Sequence, residues 1–415
     1  MTKLQMLAGV ISAGFGAAFL WLSPAMTANA QPALAVAKNY IVYVGTFTSG
    51  ASKGIYGYRF APATGELAPL GLLQEAVNPS WLIEHPNQRF LYAANEYPTK
   101  TAPGHRITSY AQDAATGKLT LLNTVSSAGE GPSHLAIEKT GKVLVAANFA
   151  SGSVASFPIL PDGKLGAAVS SIKQEGKAAG PSAPKDDRGI SPTDSHNHCV
   201  MMSPDSRFVL ACNIGMGKIF VFRVNAATAE LQPNSEFDVP ALPGLRARPR
   251  HMAFHPNGKY AYIMDSSMQV VTAAYDAASG ALKAIQSLPI STGDAARASM
   301  SGSEIEVDRA GRFVYTSSRA VDATLQSSGL DGAIDVFAID AGTGKLTQVQ
   351  HISCGGDGPR SFALDPSGGY LFVGNRNTNN IAIFSVDRKT GKLAPTNILK
   401  DVPEASSFVF VRISD

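Results

Sequence analysis

The chain has 415 residues, 45% of them hydrophobic, with 39 glycines and 25 prolines, a turn-rich balance that suits a β protein. A formal net charge of +3, with no basic run interleaved with aromatics, excludes a nucleic-acid surface. Three cysteines, Cys199, Cys212 and Cys354, are too few for a disulfide framework and lack metal-ligand spacing. They read as small core residues, although Cys199 and Cys212 could lie on paired strands.

The first element in chain order is a leader. Lys3 precedes an apolar run from Leu7 to Leu22, and Ala28-Asn29-Ala30 fits a small-x-small cleavage site. Residues 1–30 are therefore expected to be a Sec-type signal peptide, which places the mature protein in the periplasm or outside the cell. An uncleaved anchor is the other reading of a run this long. No later stretch is apolar and long enough to span a bilayer.

From residue 38 onward the sequence repeats with a period near fifty residues. An apolar strand, a tight turn and a second strand ending in Asn or a similar residue recur as "PSWLIEHPNQRFLYAANE", "SHLAIEKTGKVLVAANF", "NHCVMMSPDSRFVLACNI", "PRHMAFHPNGKYAYIMDS", "SEIEVDRAGRFVYTSSR" and "PRSFALDPSGGYLFVGNR". A hairpin turn of the "ATGELAPL" or "GTGKLTQV" kind accompanies each copy. The seventh copy of the first motif is split, "SSFVFVRI" near the C-terminus supplying one strand and "KNYIVYVGTF" the other. Residues 38–415 are thus predicted to be one all-β domain, a seven-bladed β-propeller. Its last blade is closed by residues 40–47 pairing with residues 406–413.

In such a propeller the first strand of each repeat is innermost, so the residue opening it faces the channel. That column reads Ser80, His134, His198, Arg250, Glu304 and Arg360. The ends of the second strands supply Asn95-Glu96, Asn148, Asn213, Asp265, Ser318-Arg319 and Asn375-Arg376 at the same mouth. Asn suits strand-end turns, whereas two His, two Arg and a Glu in one column are not demanded by turn chemistry and point to an anionic ligand. Taken singly, Arg319 and Arg376 could be solvated strand tips, and Arg250 with Glu304 an ion pair between blades. His196 and His198 form an H-x-H pair, yet no third ligand is evident, so no metal is assigned. His85, His251 and His255 are assigned structural places on the strand or far turn. His105 sits in a polar loop without a visible partner. The Gly/Pro-rich stretch 173–195 is expected to be an insertion at the channel mouth.

These stretches, with "YVGTFTSGASKGIYGYRFAPATGEL" and "GSEIEV", resemble the lactonase family of seven-bladed propellers, which includes 6-phosphogluconolactonases and fungal carboxymuconate cyclases. The resemblance spans essentially the whole mature chain. It implies a site of one His, arginines and a Glu at the mouth. His198 in "HNH", Arg250 in "RPRH" and Arg319 after "VYTSS" match its motifs, and Glu304 in "SEI" matches a further recurrent position. One departure stands out: Asp265-Ser266 replaces the family's Asn-Glu. "CNIGMGK" likewise replaces a more acidic pattern.

The expectation is an exported, metal-independent and cofactor-free hydrolase of a sugar-acid or related lactone. His198, Arg250, Glu304 and Arg319 would be catalytic, with His134, His196, Arg360, Arg376, Glu96 and Asp265 on the substrate. A monomer without a nucleic-acid partner is expected. Two alternatives stay open: a non-catalytic propeller binding an anionic small molecule or a protein, and muconate-type cyclisation.

Overall fold

A computed structural model describes residues 39–99, 103–176, 194–290, 300–320, 332–399 and 401–413. The described strands form seven four-stranded antiparallel sheets, and no helix occurs among the described residues. The leader lies outside them, as does most of the 173–195 insertion.

Blade 1 opens with the C-terminal strand Ala405–Arg412 innermost, followed outward by Tyr40–Thr46, Gly54–Ala61 and Glu66–Glu75. Tyr40 pairs with Arg412 and Gly45 with Ser407, so the two ends of the chain close the ring as the repeat predicted. Blades 2 to 7 each use four consecutive strands. Their innermost strands are Pro79–Glu84, Pro132–Ile137, Asn197–Met202, Pro249–Phe254, Met300–Val307 and Pro359–Leu364.

Each blade is buried on both faces, which explains why strands such as Val143–Asn148 read as continuous apolar runs. Side-chain alternation sends successive residues to opposite neighbours. In blade 5, Met252 packs with Cys199 and Phe208 of blade 4, while the next residue, Ala253, packs with Ile305 and Val314 of blade 6. Every seam between blades carries its own cluster of this kind.

Polar staples repeat across the seams. His85 and His255, in the turns leaving the inner strands, donate from Nε2 to the carbonyls of Gly141 and Gly311 at 2.8 and 2.9 Å. Tyr92, Tyr262 and Tyr315 donate to Gly163, Gly344 and Gly391 of the following blade at 2.9–3.1 Å. The turn position held by Gly141, Gly258, Gly311 and Gly368 has φ near +70° and so favours glycine, but Gln88 and Ser206 adopt the same conformation.

Candidate functional site

The site begins with a bulge. The pairing of each inner strand with its neighbour shifts register at the same point in all seven blades, just after the strand begins. A bulge inserts an unpaired residue and re-aims its side chain. The inserted residues are Ser80, Ser133, His198, Arg250, Arg360 and Ser406, with Ser303-Glu304 spanning the shift in blade 6.

This corrects the column read from the sequence, which mixed two levels. His134 and Glu304 sit one residue further along than His198 and Arg250. Their level is shared by Trp81 and His251. The bulge therefore lets both Arg250 and His251 contribute to the site, and the expectation that His251 is a remote structural residue is overturned.

A hydrogen-bonded chain links the two levels. His251 Nδ1 is 2.6 Å from Glu304 Oε1, His251 Nε2 is 3.0 Å from His198 Nδ1, and Arg250 Nε is 3.3 Å from His198 Nε2. Arg250 Nε–H can only donate, so His198 Nε2 must accept. With both rings neutral, His198 Nδ1–H then donates to His251 Nε2, and His251 Nδ1–H donates to Glu304. The proton positions are assigned from this network.

Burial sharpens the electrostatics. Arg250 is 2%, His251 3%, and His198 and Glu304 6% exposed. Burial, followed by the Arg250, His251 and Arg360 groups, holds the His198 imidazole well below its usual value. Burial alone would raise Glu304, but the His251 and His134 rings outweigh it and keep the carboxylate below its ordinary range. The anticipated Arg250–Glu304 ion pair is not formed. Glu304 is engaged by His251, and Arg250 Nη1 donates to Ser303 Oγ and to the Gly302 carbonyl.

Above the chain lies a crowd of cations. Burial, then the neighbouring Arg360 and Arg319, depresses Arg250 well below the usual guanidinium value. Arg319, at the end of Phe313–Ala320, is pushed down to about 9 by burial and then by Arg360 and Arg376. Arg250 Nη2 and Arg319 Nε have no hydrogen-bond partner among the described residues. A buried donor left unpaired costs about 1–3 kcal/mol, so these two atoms call for an acceptor that the described residues do not supply.

Other predicted residues fall around this centre. Glu96 accepts from Ser80 Oγ at 2.6 Å and stands 3.8 Å from Arg360 Nη2. Arg360 and Arg376 both lie over the Phe47 ring, at 5.4 and 3.9 Å, and Arg376 reaches Glu404 at 3.7 Å. His134 lies beside Trp81 with ring centroids 3.9 Å apart. His196 stacks on Phe149 and bonds its carbonyl at 2.9 Å, lining a rim pocket with His105 and Gln174 rather than joining His198. His105 has a partner that the sequence hid: its Nδ1 accepts the Gly131 N–H at 2.9 Å.

Asp265 is fully buried, and its oxygens accept the N–H groups of Arg248 and Ser267 at 2.6 and 2.7 Å. It is committed to a turn and does not join the mouth. Cys199 and Cys212 are register partners with free, buried thiols. Among the described residues no group of three or more His, Cys, Asp or Glu is arranged to hold a metal ion.

The missed residue, His251, left one signal. It follows Arg250 directly in "RPRH", and a bulge is what lets adjacent residues both serve one channel.

Comparison with known proteins gives the family. Residues 41–410 match the family model described as lactonase, 7-bladed beta-propeller. The chain is 31% identical over 373 residues to the 6-phosphogluconolactonase of Bacillus subtilis, covering 89% of this chain and 98% of the relative. It is 29% identical to that of Formosa agariphila over 85% of this chain and 94% of the relative. The structure of the periplasmic gluconolactonase of Pseudomonas aeruginosa superposes with a TM-score of 0.78 at 28% identity, covering 91% of this chain and 100% of that one. This chain belongs to the seven-bladed β-propeller lactonase family.

Proposed function

We propose that this protein hydrolyses a sugar-acid lactone at the cationic mouth. The observation that carries the reading is the buried Glu304–His251–His198 chain ending beside the unpartnered Arg250 Nη2. In the resting arrangement Arg250 Nε–H caps the His198 lone pair. A substrate oxygen drawing the guanidinium toward itself releases that lone pair. Water then attacks the lactone carbonyl carbon, and its proton passes to His198 Nε2. Arg250 and Arg319 hold the oxyanion that forms. The ring C–O bond breaks, and the leaving alkoxide takes the proton back from His198 to give the hydroxy acid.

His251 fixes the His198 tautomer, and Glu304 stabilises the positive charge that the proton brings. Arg360 and Glu96 line the substrate side. These side chains supply both the base and the charge stabilisation, and we assign the reaction without a metal. The leader motif, together with a periplasmic gluconolactonase of the same fold, supports export and an unphosphorylated aldonolactone.

A pH-stat assay on δ-gluconolactone and 6-phosphogluconolactone, corrected for spontaneous hydrolysis and repeated with EDTA, tests the reading. A His198→Ala/Arg250→Ala double variant is expected to fall to background. A parent protein that binds gluconate but hydrolyses neither lactone would overturn the reading in favour of a binding propeller, for which Ser266 in place of the family carboxylate is the specific support.

A further inference from the structure

Below the His chain the channel continues as a second chamber of about 440 Å³. Its roof is the level that contains Trp81, His134 and Glu304, with His251 against both rings at centroid distances of 5.7 and 5.3 Å. His134 and His251 are 4% and 3% exposed, so these rings separate the chamber from the arginine mouth. The walls are apolar, with Met201, Met252, Phe362 and Phe408 among them, and the partly exposed Ile137, Met202 and Phe410 stand at its far end. It therefore opens toward the face carrying the turns that leave the inner strands.

The polarity of this chamber is the reverse of the mouth. Among the described residues no Lys or Arg lines it, whereas Glu84, Glu304 and Glu306 do. Glu304 Oε2 and His134 Nδ1, on side chains only 6% and 4% exposed, have no hydrogen-bond partner among the described residues. Glu306 is two residues beyond Glu304 on the same strand, and both residues line the chamber. One Glu306 oxygen accepts the Leu364 N–H at 2.9 Å. Burial first, then the Glu304 and Asp365 carboxylates, pushes Glu306 up to about 8 against the pull of that bond and of Arg309. Glu84, bonded to Gln112 at 3.0 Å, is pushed up by burial to about 7. At pH 7 such burial keeps Glu306 largely protonated, and a cation bound beside it would draw that proton off and take its place. A pocket of this size, apolar with a few convergent polar groups, suits a small ligand.

We propose that this chamber is a second ligand site, entered from the face opposite the mouth, for a small alkyl- or arylammonium compound. Its apolar body packs on Met201, Phe362 and Phe408, and its N–H groups meet Glu306 and the free oxygen of Glu304. Binding needs nothing from the lactonase reading. One consequence does rest on it: an ammonium held at Glu304 Oε2 weakens the support that Glu304 gives His198, so the amine lowers kcat without competing with the lactone.

The test uses n-hexylammonium and its neutral counterpart 1-hexanol in isothermal titration calorimetry with the full chain. Hexylammonium is expected to bind at least about tenfold more tightly, a gain within reach of one desolvated charge pair. Glu306→Gln, nearly isosteric, should remove most of that difference, and Ala363→Trp should fill the chamber and abolish binding of both probes. Gluconate affinity at the mouth should be unchanged throughout. Should Ala363→Trp fail to fold, Glu306→Gln decides alone.

Equal affinity for amine and alcohol, an unchanged amine affinity in a folded Glu306→Gln variant, or displacement of the amine by gluconate would overturn the site. Amine binding in a protein without lactonase activity would leave the site standing and defeat only the hydrolase reading.

Discussion

Replacing Glu304 by Gln tests the proton chain with the smallest change of shape. Gln keeps an oxygen to accept from His251 Nδ1, so the tautomers survive and only the charge is lost. The worth of that charge follows from the geometry. A proton arriving on His198 is separated from the carboxylate by a 2.6 Å bond, one imidazole ring and a 3.0 Å bond. Over roughly 7 Å, with an effective dielectric of about 20, the attraction is about 2.4 kcal/mol. Lost only when His198 is charged, it lowers kcat by about fiftyfold and leaves KM nearly unchanged. It also lowers the acid limb of the pH–rate profile by nearly two units (about 1.4 kcal/mol per unit), because the relay becomes a weaker base. The assay is initial-rate loss of δ-gluconolactone from about pH 3 to 8, a range that reaches below the depressed His198 value, with thermal melting as the folding control. A stable Gln variant with parental kcat and an unmoved acid limb would refute the relay. A raised KM with kcat intact would make Glu304 a substrate-holding group instead.

Two further outcomes are expected. Deleting residues 406–415 removes the inner strand of blade 1 and exposes unpaired edges; soluble, cooperatively melting protein is expected to disappear, and an unchanged melting curve would contradict the closure. In blade 6, His351 is raised by its 2.7 Å bond to the buried Asp335, and burial raises Asp335 in turn. A group whose folded pKa is raised stabilises below its unfolded value and loses that contribution as pH climbs through the folded one. For His351 that loss begins at about 6.5, whereas for Asp335 it begins near 3.8, so His351 is the partner tested above pH 6. With His351 nearly half exposed, the effect should stay below about 1 kcal/mol. Melting at pH 6 and pH 8 should show a drop that His351→Gln flattens, and an identical slope in the variant would exclude the pair as its source.

The repeat was legible in the chain alone, because strand, turn and strand are local and their period survives substitution. The closure was legible for the same reason: "SSFVFVRI" and "KNYIVYVGTF" are two halves of one motif. His198, Arg250, Arg319, Arg360 and Glu96 could be placed at one mouth from strand direction alone. The phase at that mouth could not. A bulge is a register relation between two strands, and a single residue of slip reverses which neighbours a side chain meets. Hence Ser133 and Ser303 hold the places given to His134 and Glu304, and His251 stands between Glu304 and His198. Asp265 failed for a related reason. Its sequence position said mouth, but the N–H groups of Arg248 and Ser267 offered its carboxylate partners that only the folded turn creates. Local pattern determines what each blade is. Which side chains meet across blades is decided by register and ring closure, because those contacts join residues about fifty positions apart.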